Sequence, residues 1–322
     1  MKEHIEELKR NVTKRFNITD LGQIKKHLGV HYEWGTDEKG DYVKAEMKKN
    51  AEKFINCYEE MFEKKVKVAS TPGFPGKCLT KNEAESIMLD EYRSLVGQIM
   101  FYMVKVGPDV ANAARELAQH MTNPGEDHWK SMERMVGYMK GKSFYGIVLR
   151  KPECLKGIDY CDANYATNVD DRKSVSGAVY TVGGMITRWS SKTQHTTSLS
   201  TTESEYISLS HCIQDTIFRR NLLNEIALHE DPAIIYEDNE GAIFLSKNQQ
   251  VSMRTKHIDV RAHFIRDCVR EKKTTVKKVK TDNNVSDIMT KNCDVATVEK
   301  HNKKILEGEI ECVQCEEGRM SE

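Results

Sequence analysis

The spacing of apolar residues along this chain changes near residue 146. Over 88–142 they recur at intervals of three and four, the helical period. YRSLVGQIMFYMVKV predicts one helix. Pro108 opens a second at its first turn, where a missing N–H costs nothing, and Asn123–Pro124–Gly125 ends it. HWKSMERMVGYMKG is a third, closed by Gly141. Beyond 146 the period falls to two. Gly157–Ala163 predicts a strand. Ser176–Val182 and Met185–Ser190 predict two more, joined by Gly183–Gly184 as a hairpin. Thr196–Ser200 predicts a fourth, short strand. A long helix over 202–228, a strand Ala233–Asp238, a short helix 240–247, a helix Ile258–Glu271, a strand Thr274–Thr281 and a helix 283–291 complete the series.

The first part of the chain mixes both periods. A helix-like stretch opens it, Leu28–Trp34 and Tyr42–Met47 read as strands around a turn at 36–41, and a helix follows over Lys49–Lys64. The prolines and glycines of 69–81 read as a linker. The expected organisation is a small α+β unit (1–68), a linker (69–87), a helical segment (88–145), an α/β domain (146–292) and an acidic tail (293–322) without clear periodicity. Trp34, Trp129 and Trp189 read as core.

Composition adds bounds. With 322 residues and 39% hydrophobic content the chain has room for two domains and a packed core. Its least interrupted apolar run, Leu95–Val104, is far short of the ~20 residues a membrane span needs. The N-terminus has no apolar stretch for a signal peptide. The expected setting is intracellular, cytoplasmic or nuclear, with no membrane partner. Nine scattered cysteines read as reduced thiols. Cys312–Val313–Gln314–Cys315 is a lone pair, where a zinc site wants four ligands.

Lys+Arg and Asp+Glu both number 49, so the formal net charge is zero. The zero is a cancellation. Residues 240–281 hold 11 Lys/Arg against 4 Asp/Glu, while 306–322 hold one Arg against six Glu. The basic block includes Arg254, Lys256, His257, Arg261, Lys277, Lys278 and Lys280. It reads as a phosphate-contacting surface, which positions a duplex without reading its sequence. The plain alternative is a solvated helix face beside a lysine-guarded edge strand.

Four acids sit where patterning leaves them hard to solvate. Asp162 shares a strand face with Ile158 and Tyr160, and an acid on such a face is expensive unless it meets a cation. Glu205 lies in the first turns of the long helix. There Ser200–Thr201–Thr202–Glu203 already forms a capping box, leaving Glu205 without a structural task. Asp238 ends a strand and Asp287 begins a helix. Singly, the last two could be helix N-terminal acids stabilised by the dipole. Together the four lie at strand ends and helix starts, where open α/β sheets place their ligand sites. Four converging carboxylates repel unless divalent cations compensate them. Two Mg²⁺ (or Mn²⁺) ions held by Asp162, Glu205, Asp238 and Asp287 would do so and suit phosphodiester cleavage.

Several long strings now matter together. CDANYATNVDDRKSVSGAVYTVGGMITRWSSKTQHTTSLSTTESEYISL, YEDNEGAIFLSKN, MRTKHIDVRAHFIRD and NNVSDIMTK resemble the ribonuclease H domain of copia-type retrotransposon polyproteins. Upstream, DLGQIKKHLGVHYEW, YRSLVGQIMFYMV, PDVANAARELAQHMTNP and HWKSMERMVGYMKG resemble the part of the reverse transcriptase that follows its polymerase site. The resemblance implies a ribonuclease H-like domain with a mixed five-stranded sheet. A small α+β remnant of the polymerase palm and a helical thumb- or connection-like segment would precede it. It implies metal-dependent endonucleolytic cleavage of the RNA strand of RNA–DNA hybrids, with other retroelement proteins as further partners. The family's catalytic acids fall on Asp162, Glu205, Asp238 and Asp287, the same four residues.

There are departures. Asn164 stands where the family often has Asp, Tyr165 where it commonly has Trp, and the family has a His expected near Ser252. The family's Tyr-X-Asp-Asp polymerase motif is absent, and Val169–Asp170–Asp171 imitates it in letters only. Polymerisation by this chain is therefore not expected. The alternative to a nuclease is a non-catalytic nucleic-acid-binding remnant of a degenerate retroelement. A transposase or integrase is disfavoured by the order of the motifs.

Overall fold

The computed structural model describes residues 2–152, 154–226, 232–247 and 259–310. Helix α1 (Lys2–Thr13) precedes a short strand β1 (Lys26–His27) and the hairpin β2 (Val30–Asp37) and β3 (Gly40–Glu46). Helices α2 (Lys48–Met61), α3 (Leu89–Val106), α4 (Ala111–Gln119) and α5 (Glu126–Gly141) follow, with a 3-10 turn at Pro108–Val110. Their buried faces carry the helical spacing seen in the sequence: Ala51, Phe54, Ile55 and Tyr58 in α2, and Tyr92, Leu95, Val96, Ile99 and Tyr102 in α3. Strand β4 (Gly146–Arg150) then returns to pair with β3, giving a four-stranded antiparallel sheet in the order β1-β2-β3-β4. Gly146 permits this, because a Cβ there would sit 2.0 Å from the Ala45 carbonyl oxygen. Residues 146–150, expected at the start of the second domain, thus complete the first sheet.

The second sheet holds β5 (Gly157–Asn164), β6 (Val175–Val182), β7 (Met185–Thr193), β8 (Ala233–Glu237) and β9 (Thr274–Lys278) in the order β7-β6-β5-β8-β9. The first three strands are antiparallel, and β8 and β9 run parallel to β5. This is the mixed five-stranded sheet that the resemblance implied. The β6–β7 turn uses Gly183 and Gly184, both at positive φ (56° and 84°), as a tight two-residue hairpin requires. Helices α6 (Thr201–Glu225), α7 (Glu240–Lys247) and α8 (Asp259–Arg270) form one layer, packed through Tyr206, Leu209, Ile213, Ala242 and Ile265 onto Cys161, Ala178 and Ile235. Helices α9 (Asp287–Thr290) and α10 (Val295–Leu306) form part of the opposite layer, together with α4. Their core is continuous with that of the upstream helices.

Four local expectations need correction. Thr196–Ser200 is a loop leading into the cap of α6, not a strand: Ser198 Oγ donates to Gln194 Oε1 (2.9 Å) and Leu199 N to Glu203 Oε2 (2.7 Å). The helix expected over 283–291 is a 3-10 turn at Thr281–Asn283 followed by the single turn of α9. Within the segment read as linker, Thr71, Pro72 and Gly73 are buried, held by Arg134 through Gly73 O (2.9 Å) and Thr71 Oγ1 (2.7 Å). Within the segment read as tail, α10 buries Val298, His301 and Ile305. Among the described residues, no helix is long and apolar enough to cross a membrane, and the cysteines are free.

His301 is wholly buried, and neither ring nitrogen has a hydrogen-bond partner. Burial first, then Lys300, Lys304 and Lys291, push its pKa down to about 4. The unfolded chain therefore binds this proton more readily, so stability is complete above pH ~6.5 and is lost as pH falls toward 4, by up to about 3 kcal/mol. Melting curves from pH 7.5 to 4 should fall more steeply for the native chain than for His301→Leu. Parallel curves would refute this role.

Candidate active site

The carboxylates converge because three elements end at one place. Asp162 lies on β5 opposite Gly177 of β6. Asp238 directly follows β8, which runs beside β5. Glu205 is presented by the first turns of α6. That helix is capped as the sequence indicated: Glu203 N donates to Ser200 Oγ (3.1 Å), while the Glu203 carboxylate receives Leu199 N. Glu205 is left over and points to the strands. Asp162, Glu205 and Asp238 each offer an oxygen, all within 4.8 Å of one another.

Asp287, the first residue of α9, stands beside this trio. Its Oδ1 lies 3.1 Å from Lys291 Nζ, and the charge of Asp162 raises its cost of ionising. Thr290, at the other end of α9, donates its hydroxyl to Asp162 Oδ2. This close approach depends on Gly177, where a Cβ would meet Thr290 Cγ2 at 2.5 Å and Met289 Cβ at 2.8 Å.

The cluster is electrostatically crowded. Burial, followed by Glu237, Asp162 and Asp238, raises the Glu205 pKa to about 11. Burial and Asp162 raise Asp287 to about 7 against the opposing pull of Lys291. Burial also raises Asp162. Glu205 Oε2 is buried without a hydrogen-bond partner. Hard carboxylate oxygens, one of them orphaned, crowded beyond what they can ionise together, fit a divalent cation of the Mg²⁺ or Mn²⁺ type.

Two residues of the site escaped the sequence reading. Glu237 is fully buried on the face of β8 that also carries Ile235. It accepts from Cys161 Sγ (3.2 Å) and Asn239 N (3.0 Å). Burial, with Asp162 and Asp238 adding to it, raises its pKa to about 8. An acid where alternation calls for a core aliphatic was the available signal. Lys291 was signalled only by its i+4 spacing from Asp287.

The basic residues divide. Lys277 and Lys278 lie on β9, an edge strand, and Lys280 follows it; all three are exposed, and Lys278 pairs with Glu240. Arg261, on α8, is half-buried and its charge reaches His211 of α6. Arg254, Lys256 and His257, like Ser252 and the Cys312–Cys315 pair, lie outside the described residues. Asn164, the departure beside Asp162, donates to Thr290 O (3.4 Å) and so also holds α9. Asp170 and Asp171 sit in the β5–β6 connection, bonded to Lys81 N (2.8 Å) and Lys173 N (3.1 Å). Trp129 is in the core, but Trp34 is 50% exposed, its indole nitrogen held by Ile24 O (2.9 Å).

No family model matches the chain. It is 33% identical over 300 residues to the retrovirus-related Pol polyprotein from transposon TNT 1-94 of Nicotiana tabacum, covering 89% of this chain and 22% of that protein. It is 30% identical over 195 residues to an uncharacterised mitochondrial protein of Arabidopsis thaliana, covering 60% of this chain and 78% of the relative. The solved LC11 ribonuclease H1 from compost is 16% identical over 45% of this chain and 97% of its own, at a TM-score of 0.34. That likeness is slight, and strand order and direction describe the fold by themselves. The chain spans about a fifth of the tobacco polyprotein. On the extent of identity to these plant Pol proteins, the chain belongs to the copia-type retrotransposon Pol polyprotein family.

Proposed function

We propose that this site cuts the RNA strand of RNA–DNA hybrids, using Mg²⁺ or Mn²⁺. The observation that carries the reading is the carboxylate trio within 4.8 Å, with Glu205 Oε2 buried and unpartnered. Asp162, Glu205 and Asp238 would hold the cations, with Asp287 beside them. Two divalent ions in such a site supply activation of a water and charge compensation at the leaving 3′ oxygen.

The chain's own residues have definable tasks. Thr290 fixes the Asp162 carboxylate through its hydroxyl. Asp238 is only half-buried, so the trio opens to solvent on its side. Lys291 offsets the charge of Asp287 and Asp162. Arg261, Lys277, Lys278 and Lys280, with Arg254, Lys256 and His257, contact backbone phosphates and add affinity without sequence preference. The reading is of direct hydrolysis by water, with no covalent intermediate on the protein. The discriminating experiment offers the protein an RNA–DNA hybrid, duplex RNA and duplex DNA. Cleavage confined to the RNA of the hybrid is expected, and EDTA should stop it. Cleavage of DNA ends or strand transfer would instead favour the transposase reading.

A further inference from the structure

Helix α9 is a single turn, with Met289 N donating to Ser286 O (2.9 Å) and Lys291 N to Asp287 O (3.1 Å). So short a helix has no stability of its own, so the chain on either side must set its position. On the N-terminal side, Asn284 Nδ2 donates to Cys161 O (2.9 Å), the carbonyl next to Asp162. On the C-terminal side the anchor is Asn292, directly after Lys291. Its Nδ2 donates to Glu116 Oε2 (2.7 Å) and to Lys77 O (2.9 Å), and its Oδ1 accepts from Asn112 Nδ2 (3.0 Å). Its main-chain oxygen accepts from Gly76 N (3.0 Å). The chain closes so tightly over it that a Cβ at Gly73 would lie 2.3 Å from Asn292 Oδ1.

The two side-chain partners of Asn292, Asn112 and Glu116, come from α4, a helix of the upstream segment. Its sequence, ANAARELAQ, is alanine-rich, yet Asn112, Arg115 and Glu116 are at most 9% exposed. Burying an amide, a guanidinium and a carboxylate costs free energy that an apolar face would not, so what they hold matters. Arg115 grips Asn112 Oδ1 (2.8 Å) and reaches Thr193 Oγ1 (3.2 Å) at the end of β7. One polar face of α4 therefore ties down both the last residue of β7 and the chain leaving α9.

We propose that α4 is a positioning element of the carboxylate site: Asn112 and Glu116 hold the Asn292 side chain, and this clasp sets Asp287 and Lys291 beside Asp162. The upstream segment is then a structural part of the site and not merely a neighbour of it. The inference rests on the nuclease reading above.

The test compares Asn292→Ala with Tyr138→Phe in the full chain. Tyr138 donates to Asp109 Oδ2 (2.7 Å) in the same helical layer and does not touch Asn292. For Asn292→Ala, turnover on hybrid should fall about tenfold or more, as for a misplaced reacting group, while hybrid affinity stays within about twofold. Mn²⁺ binding without nucleic acid, followed by calorimetry, should weaken about tenfold, the size of effect seen when a ligand's support is removed. Tyr138→Phe should lower the melting temperature while keeping turnover and Mn²⁺ affinity. The clasp is overturned if Asn292→Ala lowers only the melting temperature, or if Tyr138→Phe loses turnover equally. Should Asn292→Ala fail to fold, Asn112→Ser, which removes the bond to Asn292 Oδ1 along with the one from Arg115 to Asn112 and leaves the other Asn292 bonds in place, is read in the same assays. Unchanged turnover and Mn²⁺ affinity there overturn the proposal. An unmodified chain that neither binds Mn²⁺ nor cleaves hybrid removes the nuclease reading and the clasp with it. An unmodified chain that does both, matched by Asn292→Ala, removes the clasp alone.

Discussion

Asp162→Asn is expected to abolish hybrid cleavage and, in EDTA, to raise the melting temperature. Asn keeps the size of Asp and can still accept the Thr290 hydroxyl, so the packing of α9 survives. What it removes is one negative charge from a crowded group that includes the buried Glu205 and Asp287 and the half-buried Asp238. Without cations, that charge works against folding, since burial and like charges raise the cost of ionising Asp162, Glu205 and Asp287. With cations, the same charge is a ligand. The native chain should therefore gain stability as Mg²⁺ is added, by mass action on the folded state, and the variant should gain much less. Cleavage should fall on the order of 10³-fold or more, as when one member of an interdependent catalytic set is lost. Hybrid affinity should be retained, because Asp162 is not among the residues proposed to contact phosphates. Turnover close to native in the variant would remove Asp162 from the site.

The largest effect on folding is expected at Arg219. Asp159, on β5, is wholly buried and its carboxylate is fully engaged. Oδ1 accepts Thr181 N (3.0 Å) and Arg219 Nη1 (2.6 Å), and Oδ2 accepts Thr216 Oγ1 (2.6 Å). Arg219→Met fills similar space but leaves a buried carboxylate without its cation, a loss of about 3–5 kcal/mol. Combining it with Asp159→Asn removes the stranded charge and should restore part of the loss. Urea unfolding of the two single variants and the double variant measures the coupling. Additive losses would show that the pair does not act as a unit.

What the sequence disclosed follows from how local each signal was. The Gly183–Gly184 hairpin, the capping role of Glu203 and the left-over Glu205 depend on neighbours within a few residues, and each was readable. The meeting of Asp162, Glu205 and Asp238 was readable because strand ends and helix starts fall together in an α/β sheet. Pairing between distant segments was not. Nothing local in residues 146–150 says that they join β3, more than a hundred residues back. Buried Thr71–Gly73 reads as linker because its order comes from Arg134, which lies far along the chain. Thr196–Ser200 alternates like a strand, but its hydroxyls and amides serve the entry to α6. Asn292 has no local signal at all. Its role appears only when Lys77, Asn112 and Glu116 surround it.

The crowded carboxylates are proposed to make this chain a cation-dependent ribonuclease acting on hybrids. The most direct measurement incubates the purified full chain with an end-labelled RNA–DNA hybrid in Mg²⁺, with and without EDTA, and resolves the RNA products. Internal cuts leaving 5′-phosphate and 3′-hydroxyl ends, lost in EDTA, are predicted. A hybrid bound by the protein yet left intact in both Mg²⁺ and Mn²⁺ would contradict the claim.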